Sequence, residues 1–227
     1  MHDSSWESLE SQKRATFSSY LERLVVFKKT GRLLDVGCAF GALLRLATEN
    51  GFEPYGIDVN PFAVDIAKRT IPNVYCTTIE DVPFPDQYFD VVVMTDTIEH
   101  IVNCSSTLSV ANRKLAPGGV LLITTPDTGS LSRFLLGKHW PHYKMEHIYY
   151  FNRRNMKILL NTFDVLDIRR SHKQVSFRYF ANVLRRYSTN PFFHKCYAPA
   201  HALSKVFGDM TFDIPMGEML VIAKRKN

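Results

Sequence analysis

The sequence predicts a doubly wound α/β domain, a mostly parallel seven-stranded sheet with helices on both faces and an aromatic, basic helical insertion before the last strand. Three observations carry this. Strand-like and helix-like segments alternate five times in about 95 residues, the pattern of a parallel sheet with crossover helices. The strand-like runs are apolar almost throughout rather than at every second position, as strands buried on both faces are. Glycine or proline closes most segments, which supplies the turns.

The elements follow in order. Residues 7–29 read as an amphipathic helix, with Leu9, Phe17, Tyr20, Leu21, Leu24 and Val25 near helical spacing. Gly31 ends it, and residues 32–37 (RLLDVG) form a short buried strand. A helix over 41–50 stops at Gly51, and residues 53–59 (EPYGIDV) make the second strand. Pro61 opens a third helix that runs to Arg69, a place where proline's missing N–H costs nothing. Residues 73–79 and 89–95 give the third and fourth strands. A helix over 105–115 ends in the turn at 116–119, and 120–126 is the fifth strand. Beyond Pro126 the rhythm loosens: a helix over 152–162, a strand over 165–172, the insertion over about 177–212, and a last strand over 219–226. The whole chain reads as a single domain, with an N-terminal helical cap (1–30), a core (31–127) and a second half (128–227).

Composition narrows the class. Hydrophobic residues make up 45% of the 227, enough for a real core. No apolar run reaches the roughly 18–20 residues that cross a bilayer, and the polar, acidic start does not read as a signal peptide. Cys38, Cys76, Cys104 and Cys196 form no CxxC pair and read as reduced thiols, so a cytoplasmic location is expected. Residues 1–125 carry 11 basic and 15 acidic side chains, and residues 126–227 carry 17 and 7. The basic half is either ordinary solvated surface or a face that meets something anionic.

The first strand leads into Asp35-Val36-Gly37-Cys38-Ala39-Phe40-Gly41. Glycines here let the backbone turn tightly and approach a ligand. The full GxGxxG spacing is missing and no Walker lysine follows, which argues against nucleoside triphosphate chemistry. Asp58 ends the second strand. An acid there accepts hydrogen bonds from ribose hydroxyls, or serves the start of the next helix.

Taken together, residues 33–41, 56–60, 79–101 and 115–127 resemble the class I S-adenosylmethionine-dependent methyltransferases, in the right order and at the right distances across residues 31–127. The resemblance implies a Rossmann-like methyltransferase fold and S-adenosylmethionine as cofactor. It implies that Gly37, with Asp35, Cys38 and Gly41 around it, lines the methionine moiety. Asp58 would hold the ribose, Val59 would lie against the adenine, and Ile79 and Glu80 would meet the adenine edge. Thr95 would face the methionine group near the sulfonium. Family members often carry an aspartate where this chain has Thr78.

Asp96, Glu99 and His100 stand at i, i+3 and i+4, so a helix starting there would put all three on one face. Glu146-His147 follows later. Oxygen and nitrogen donors of these kinds bind Mg²⁺, Mn²⁺ or Zn²⁺. The arrangement is similar to that of the small-RNA 3′-end 2′-O-methyltransferases and the ubiquinone-pathway O-methyltransferases. Three readings stay open: a divalent ion on Asp96, Glu99, His100 and His147; His100 or His147 as a catalytic base; or a structural role.

The segment 138–160 resembles one found in bacterial methyltransferases of saccharide or quinone pathways, and its His139, Trp140, His142 and Tyr143 are candidates to line an acceptor pocket. The insertion interleaves aromatics with arginines and reads as a packed hairpin, as a peripheral contact with an anionic membrane, or as an RNA grip. The expected function is O-methylation of a hydroxyl on a small molecule or saccharide. The alternatives are an RNA 2′-O-methyltransferase and a non-catalytic partner subunit that keeps the fold. Oligomeric state has no sequence signal.

Overall fold

Successive residues of a strand face opposite sides of a sheet, and this sorts the apolar side chains into two layers. Leu34, Val92, Met94, Leu121, Ile123 and Val221 pack on one side. Their neighbours Leu33, Val91, Val93, Val120, Leu122 and Ile222 pack on the other. Strands covered on both faces therefore need the continuous apolar runs that the sequence carries.

The computed structural model describes residues 4–186, 191–208 and 210–226. Its strands are β1 (Gly31–Val36), β2 (Phe52–Asp58), β3 (Val74–Cys76), β4 (Phe89–Thr95), β5 (Leu115–Pro126), β6 (Phe163–Ser176) and β7 (Thr211–Arg225). They form one seven-stranded sheet in the order β3-β2-β1-β4-β5-β7-β6. The pairs β3–β2, β2–β1, β1–β4 and β4–β5 are parallel, and β7 runs antiparallel to β5. The doubly wound, mostly parallel seven-stranded sheet expected from the sequence is present. Its strand order places the crevice at the carboxyl ends of β1, β2 and β4, where the winding reverses direction.

The helices are α1 (Ser4–Leu24), α2 (Ala42–Glu49), α3 (Pro61–Ala67), α4 (Cys104–Lys114), α5 (Leu131–Leu136), α6 (Arg153–Leu159), α7 (Phe177–Arg186) and α8 (Pro191–Phe207). Leu21 and Leu24 of α1, Leu43 and Leu44 of α2 and Val64 of α3 cover one face of the sheet. Leu108 and Ala111 of α4 and Met156 of α6 cover the other. Asn60, Asn103 and Asn152 cap α3, α4 and α6 with their side-chain oxygens, which satisfies amides that have no helical partner.

Several boundaries differ from expectation: α1 ends at Leu24 rather than 29, and β3 covers only Val74–Cys76 of the strand expected over 73–79. The turn expected at 116–119 is absorbed into β5, where the register against β4 jumps from Leu115 to Val120. Strand β6 starts earlier and ends later than 165–172. Strand β7 begins at Thr211, well before 219. Continuous apolar runs report only the fully buried stretch of a strand; the β7 extension is marked by alternation instead, with Phe212, Ile214 and Met216 its less exposed positions.

Two compact units emerge. One comprises Phe17–Ser171 with Gly217–Asn227 and holds both core layers. The other comprises Met1–Thr16 with His172–Met216, so the division falls inside β6 and β7 rather than at residues 177 and 212. In this smaller unit α7 packs against α8, and Phe177 meets Phe207 and Phe212 at ring distances of 5.9 and 4.7 Å. Ala181, Leu184, Phe193 and Ala200 are buried. Residues 187–190 and 209 of the expected insertion lie outside the described residues. Among the described residues no helix is long and apolar enough to cross a membrane.

Candidate functional site

A cavity of about 440 Å³ opens at the carboxyl ends of β1, β2 and β4. That volume lies inside the range of roughly 300–1,000 Å³ usual for small-molecule sites. Val36, Ile57, Ile79 and Ile101 give it apolar walls, and Asp58, Glu80, Asp96 and His100 bring polar groups to it.

The loop after β1 is shaped by three left-handed residues, Gly37 (φ 80°), Ala39 (φ 45°) and Gly41 (φ 75°). Gly37 is obligatory for a second reason. A Cβ there would come within 2.6 Å of the Thr97 Oγ1. That hydroxyl donates to the Val36 and Thr95 carbonyls, both at 3.0 Å, and ties the ends of β1 and β4 together. The loop amides are committed inside the protein. Gly37 and Cys38 donate to the Ile57 carbonyl, Gly41 to the Cys38 carbonyl, and Ala39 to the Asp58 carboxylate at 2.8 Å. Those four amides do not reach out to a ligand, contrary to the simplest reading of a glycine turn.

Asp58 therefore acts in two ways. It accepts from Ala39 and Asn60 N–H, each at 2.8 Å, which braces the first loop against the second. A carboxylate offers about four lone-pair positions, so each oxygen keeps one for a donor in the cavity. Val59 beside it is 72% exposed, an apolar side chain left open at the rim. Across the cavity Thr107 donates to Glu80 at 2.8 Å. The Thr78 hydroxyl donates to Asp81 at 3.2 Å.

Of the nine residues expected to hold a cofactor, Gly37, Asp58, Val59, Ile79 and Glu80 line the cavity. Asp35, Cys38, Gly41 and Thr95 do not. Asp35 is 1% exposed and its Oδ1 has no hydrogen-bond partner among the described residues. Burial, reinforced by the charge of Asp58, pushes its carboxyl up to about 7. Burial, with Asp35 and Asp58 nearby, also drives the Cys38 thiol far up, so it carries no thiolate. Gly41 caps α2, and Thr95 offers its carbonyl to Thr97. Sequence reasoning missed Thr97, Thr77 and Thr107, all on the cavity wall. For Thr77 and Thr97 the available signal was a hydroxyl residue just past a strand; Thr107 lies inside α4.

The helix expected to begin at Asp96 does not form there. Asp96 is left-handed (φ 50°), and a single 3₁₀ turn covers Ile98–His100. The i, i+3, i+4 face is lost. Thr124 donates to Asp96 at 3.3 Å, and Asp96 stays out of the cluster that does form. That cluster is Glu99, His100 and His147, with one donor atom from each lying within 4.8 Å of the others. The two imidazoles meet edge to face at 4.8 Å. Glu99 is buried and accepts from Thr125 at 2.9 Å. Burial, then the charge of Asp96, raises its carboxyl to about 7. Burial, with His100 and Lys144 close by, lowers the His147 imidazole below its ordinary value, which favours its neutral form. His100 alone of the three lines the cavity. Its Nδ1 sits 2.9 Å from the Glu146 carbonyl. A carbonyl only accepts, so Nδ1 carries the proton and Nε2 of the neutral ring presents a lone pair.

The aromatic candidates of 138–160 are mostly structural. Trp140 is 1% exposed and donates to Ser132 Oγ at 3.2 Å. His142 packs on it and lies 3.7 Å from the buried Glu218. Tyr143 remains 41% exposed.

A methyltransferase-domain family model matches residues 9–165. Among curated proteins, demethylmenaquinone methyltransferase of Tropheryma whipplei is 35% identical over 95 residues, 40% of this chain and 40% of that one. The ubiquinone biosynthesis O-methyltransferase of Rhodopseudomonas palustris is 33% identical over 102 residues, 41% of this chain and 39% of that one. The chain thus aligns with about two fifths of the length of these relatives. Among solved structures, a SAM-dependent methyltransferase from Archaeoglobus fulgidus superposes with a TM-score of 0.64 at 19% identity, covering 99% of this chain and 100% of that one. That likeness concerns the fold.

Proposed function

We propose, starting from the fact that this chain belongs to the class I S-adenosylmethionine-dependent methyltransferase family, that it transfers a methyl group to a hydroxyl oxygen of a small molecule or saccharide. The cofactor, when bound, supplies a sulfonium methyl that is already electrophilic. The chain's own residues then have three tasks: to hold the cofactor, to orient the acceptor and to take a proton from it.

Asp58 fits the first task, with lone pairs left for two ribose hydroxyls, and Val59 and Ile79 offer apolar faces for a purine. Glu80 and the Thr78–Asp81 pair supply acceptors at the purine edge in place of the missing aspartate. The observation that carries the O-directed reading is His100. It borders the cavity with Nε2 free to accept and Nδ1 fixed by the Glu146 carbonyl, the arrangement of a general base. The ubiquinone-pathway relative, named as an O-methyltransferase, supports the same choice. A screen of hydroxylated acceptors that reads S-adenosylhomocysteine release tests it. His100→Ala lowers kcat by about 10²–10⁴ while calorimetric affinity for S-adenosylhomocysteine holds. An unchanged kcat refutes the base role.

One observation favours a second reading, a divalent ion at the same place. The donor atoms of Glu99, His100 and His147 are close enough to share one, and the Glu146 carbonyl on His100 Nδ1 is the outer hydrogen bond that metal-bound histidines usually have. A bound ion would lower the pKa of an acceptor hydroxyl. Metal analysis of the purified protein, with turnover before and after chelation, decides between the readings. Full turnover in chelator removes the ion.

A further inference from the structure

A second concavity, of about 720 Å³, lies in the same unit but away from the cavity just described. Arg153 and Arg154 reach it from α6, and Arg169 and Arg170 from β6. Two pairs of adjacent arginines, separated in sequence by the length of a helix, are brought to one hollow by the fold.

The charges there do not cancel. Asp127, just past β5, is 3% exposed. It accepts from the Gly129 amide at 2.8 Å and stands 3.6 Å from Arg153. Asp167 lies 2.7 Å from Arg169, but it is shared with Arg23, also at 2.7 Å. Among the described residues no acid pairs with Arg154 or Arg170, and both are exposed. Grouping like charges costs free energy unless an anion neutralises them. Guanidinium forks bind phosphoryl oxygens in a bidentate manner.

The hollow is also connected to the cluster that holds the candidate base, since the His147 ring meets that of His100 at 4.8 Å. The chain runs on from His147 to Arg153. The Ile148 and Tyr149 amides donate to the Glu99 carbonyl, and Phe151 bridges Asp127. Six extended residues span at most about 20 Å, a length that a phosphorylated metabolite or a diphosphate-linked sugar can cover.

We propose that the arginine hollow takes the phosphoryl or pyrophosphoryl group of the acceptor, so that the substrate is a phosphorylated small molecule held at one end by Arg154 and Arg170 and methylated at the other. This rests on the methyl-transfer reading above and gives it a substrate class. The part that concerns this site is testable without turnover.

Inorganic pyrophosphate is titrated calorimetrically into the full chain at low ionic strength. The proteins are the wild type, Arg154→Ala/Arg170→Ala, Arg154→Lys/Arg170→Lys, and Arg69→Ala, an exposed arginine elsewhere. Circular dichroism checks that each is folded. The expected result is saturable binding that the double substitution weakens at least tenfold, that Arg154→Lys/Arg170→Lys restores only in part, and that Arg69→Ala leaves unchanged. Absence of saturable binding, or equal loss in Arg69→Ala, overturns the proposal. So does preference for a single-stranded RNA oligomer that pyrophosphate fails to displace. S-adenosylhomocysteine titrated into the same samples reports on the methyl-transfer reading separately, so the failure of one is not mistaken for failure of the other.

Discussion

Replacing Asp35 with asparagine isolates one buried carboxyl beneath the cofactor loop. Asp35 has its carboxyl raised to about 7, first by burial and then by Asp58, against roughly 3.9 in an unfolded chain. The folded state thus holds a proton that the unfolded state has released. The resulting stabilisation is complete below the unfolded value and is lost as pH rises through about 7. Between pH 8 and pH 6 the folded side chain goes from mostly ionised to mostly protonated while the unfolded one stays ionised, which contributes on the order of 1 kcal/mol. Asparagine has nearly the same shape and no titration. Glu99, also raised to about 7, adds to the same trend. His147, whose imidazole is lowered, opposes it below the ordinary histidine value, but both are common to the two proteins. Urea unfolding followed by fluorescence of Trp140, buried in the same unit, gives the free energies. The variant should gain on the order of 1 kcal/mol more over the wild type at pH 8 than at pH 6. A gain independent of pH would refute the argument that Asp35 is protonated in the folded protein.

Two further substitutions test the loop. Gly37→Ala sets a left-handed backbone and a 2.6 Å approach to Thr97 Oγ1 against each other, and should cost about 2–4 kcal/mol in chemical denaturation. Ala39→Gly, at φ 45°, should stabilise by about 0.5–1 kcal/mol, strain relief exceeding the entropy glycine adds to the unfolded chain. An insensitive Gly37 or a destabilising Ala39→Gly would show that the loop is not shaped as described.

The sheet was legible because burial on both faces writes itself into apolar runs, as in Phe89–Thr95. Asp58 was legible because an acid at the end of a parallel strand faces the crevice. The 3₁₀ turn at Ile98–His100 was not. Helical spacing in Asp96-Thr97-Ile98-Glu99-His100 assumes a regular backbone, and Asp96 leaves it by turning left-handed. Whether Asp35 points at a ligand or into the core depends on which face of β1 it occupies relative to α2, which is a tertiary fact. The arginine hollow was visible only as an excess of positive charge. Its assembly needs β6 and α6 to be placed side by side, and nothing in a linear run of residues records that.

The most direct measurement is a structure of this chain bound to S-adenosylhomocysteine. The account predicts that the ligand fills the cavity between Gly37, Asp58 and Ile79, with its ribose hydroxyls donating to the Asp58 oxygens that Ala39 and Asn60 leave free. A ligand bound elsewhere, or an Asp58 turned away from the sugar, would contradict it.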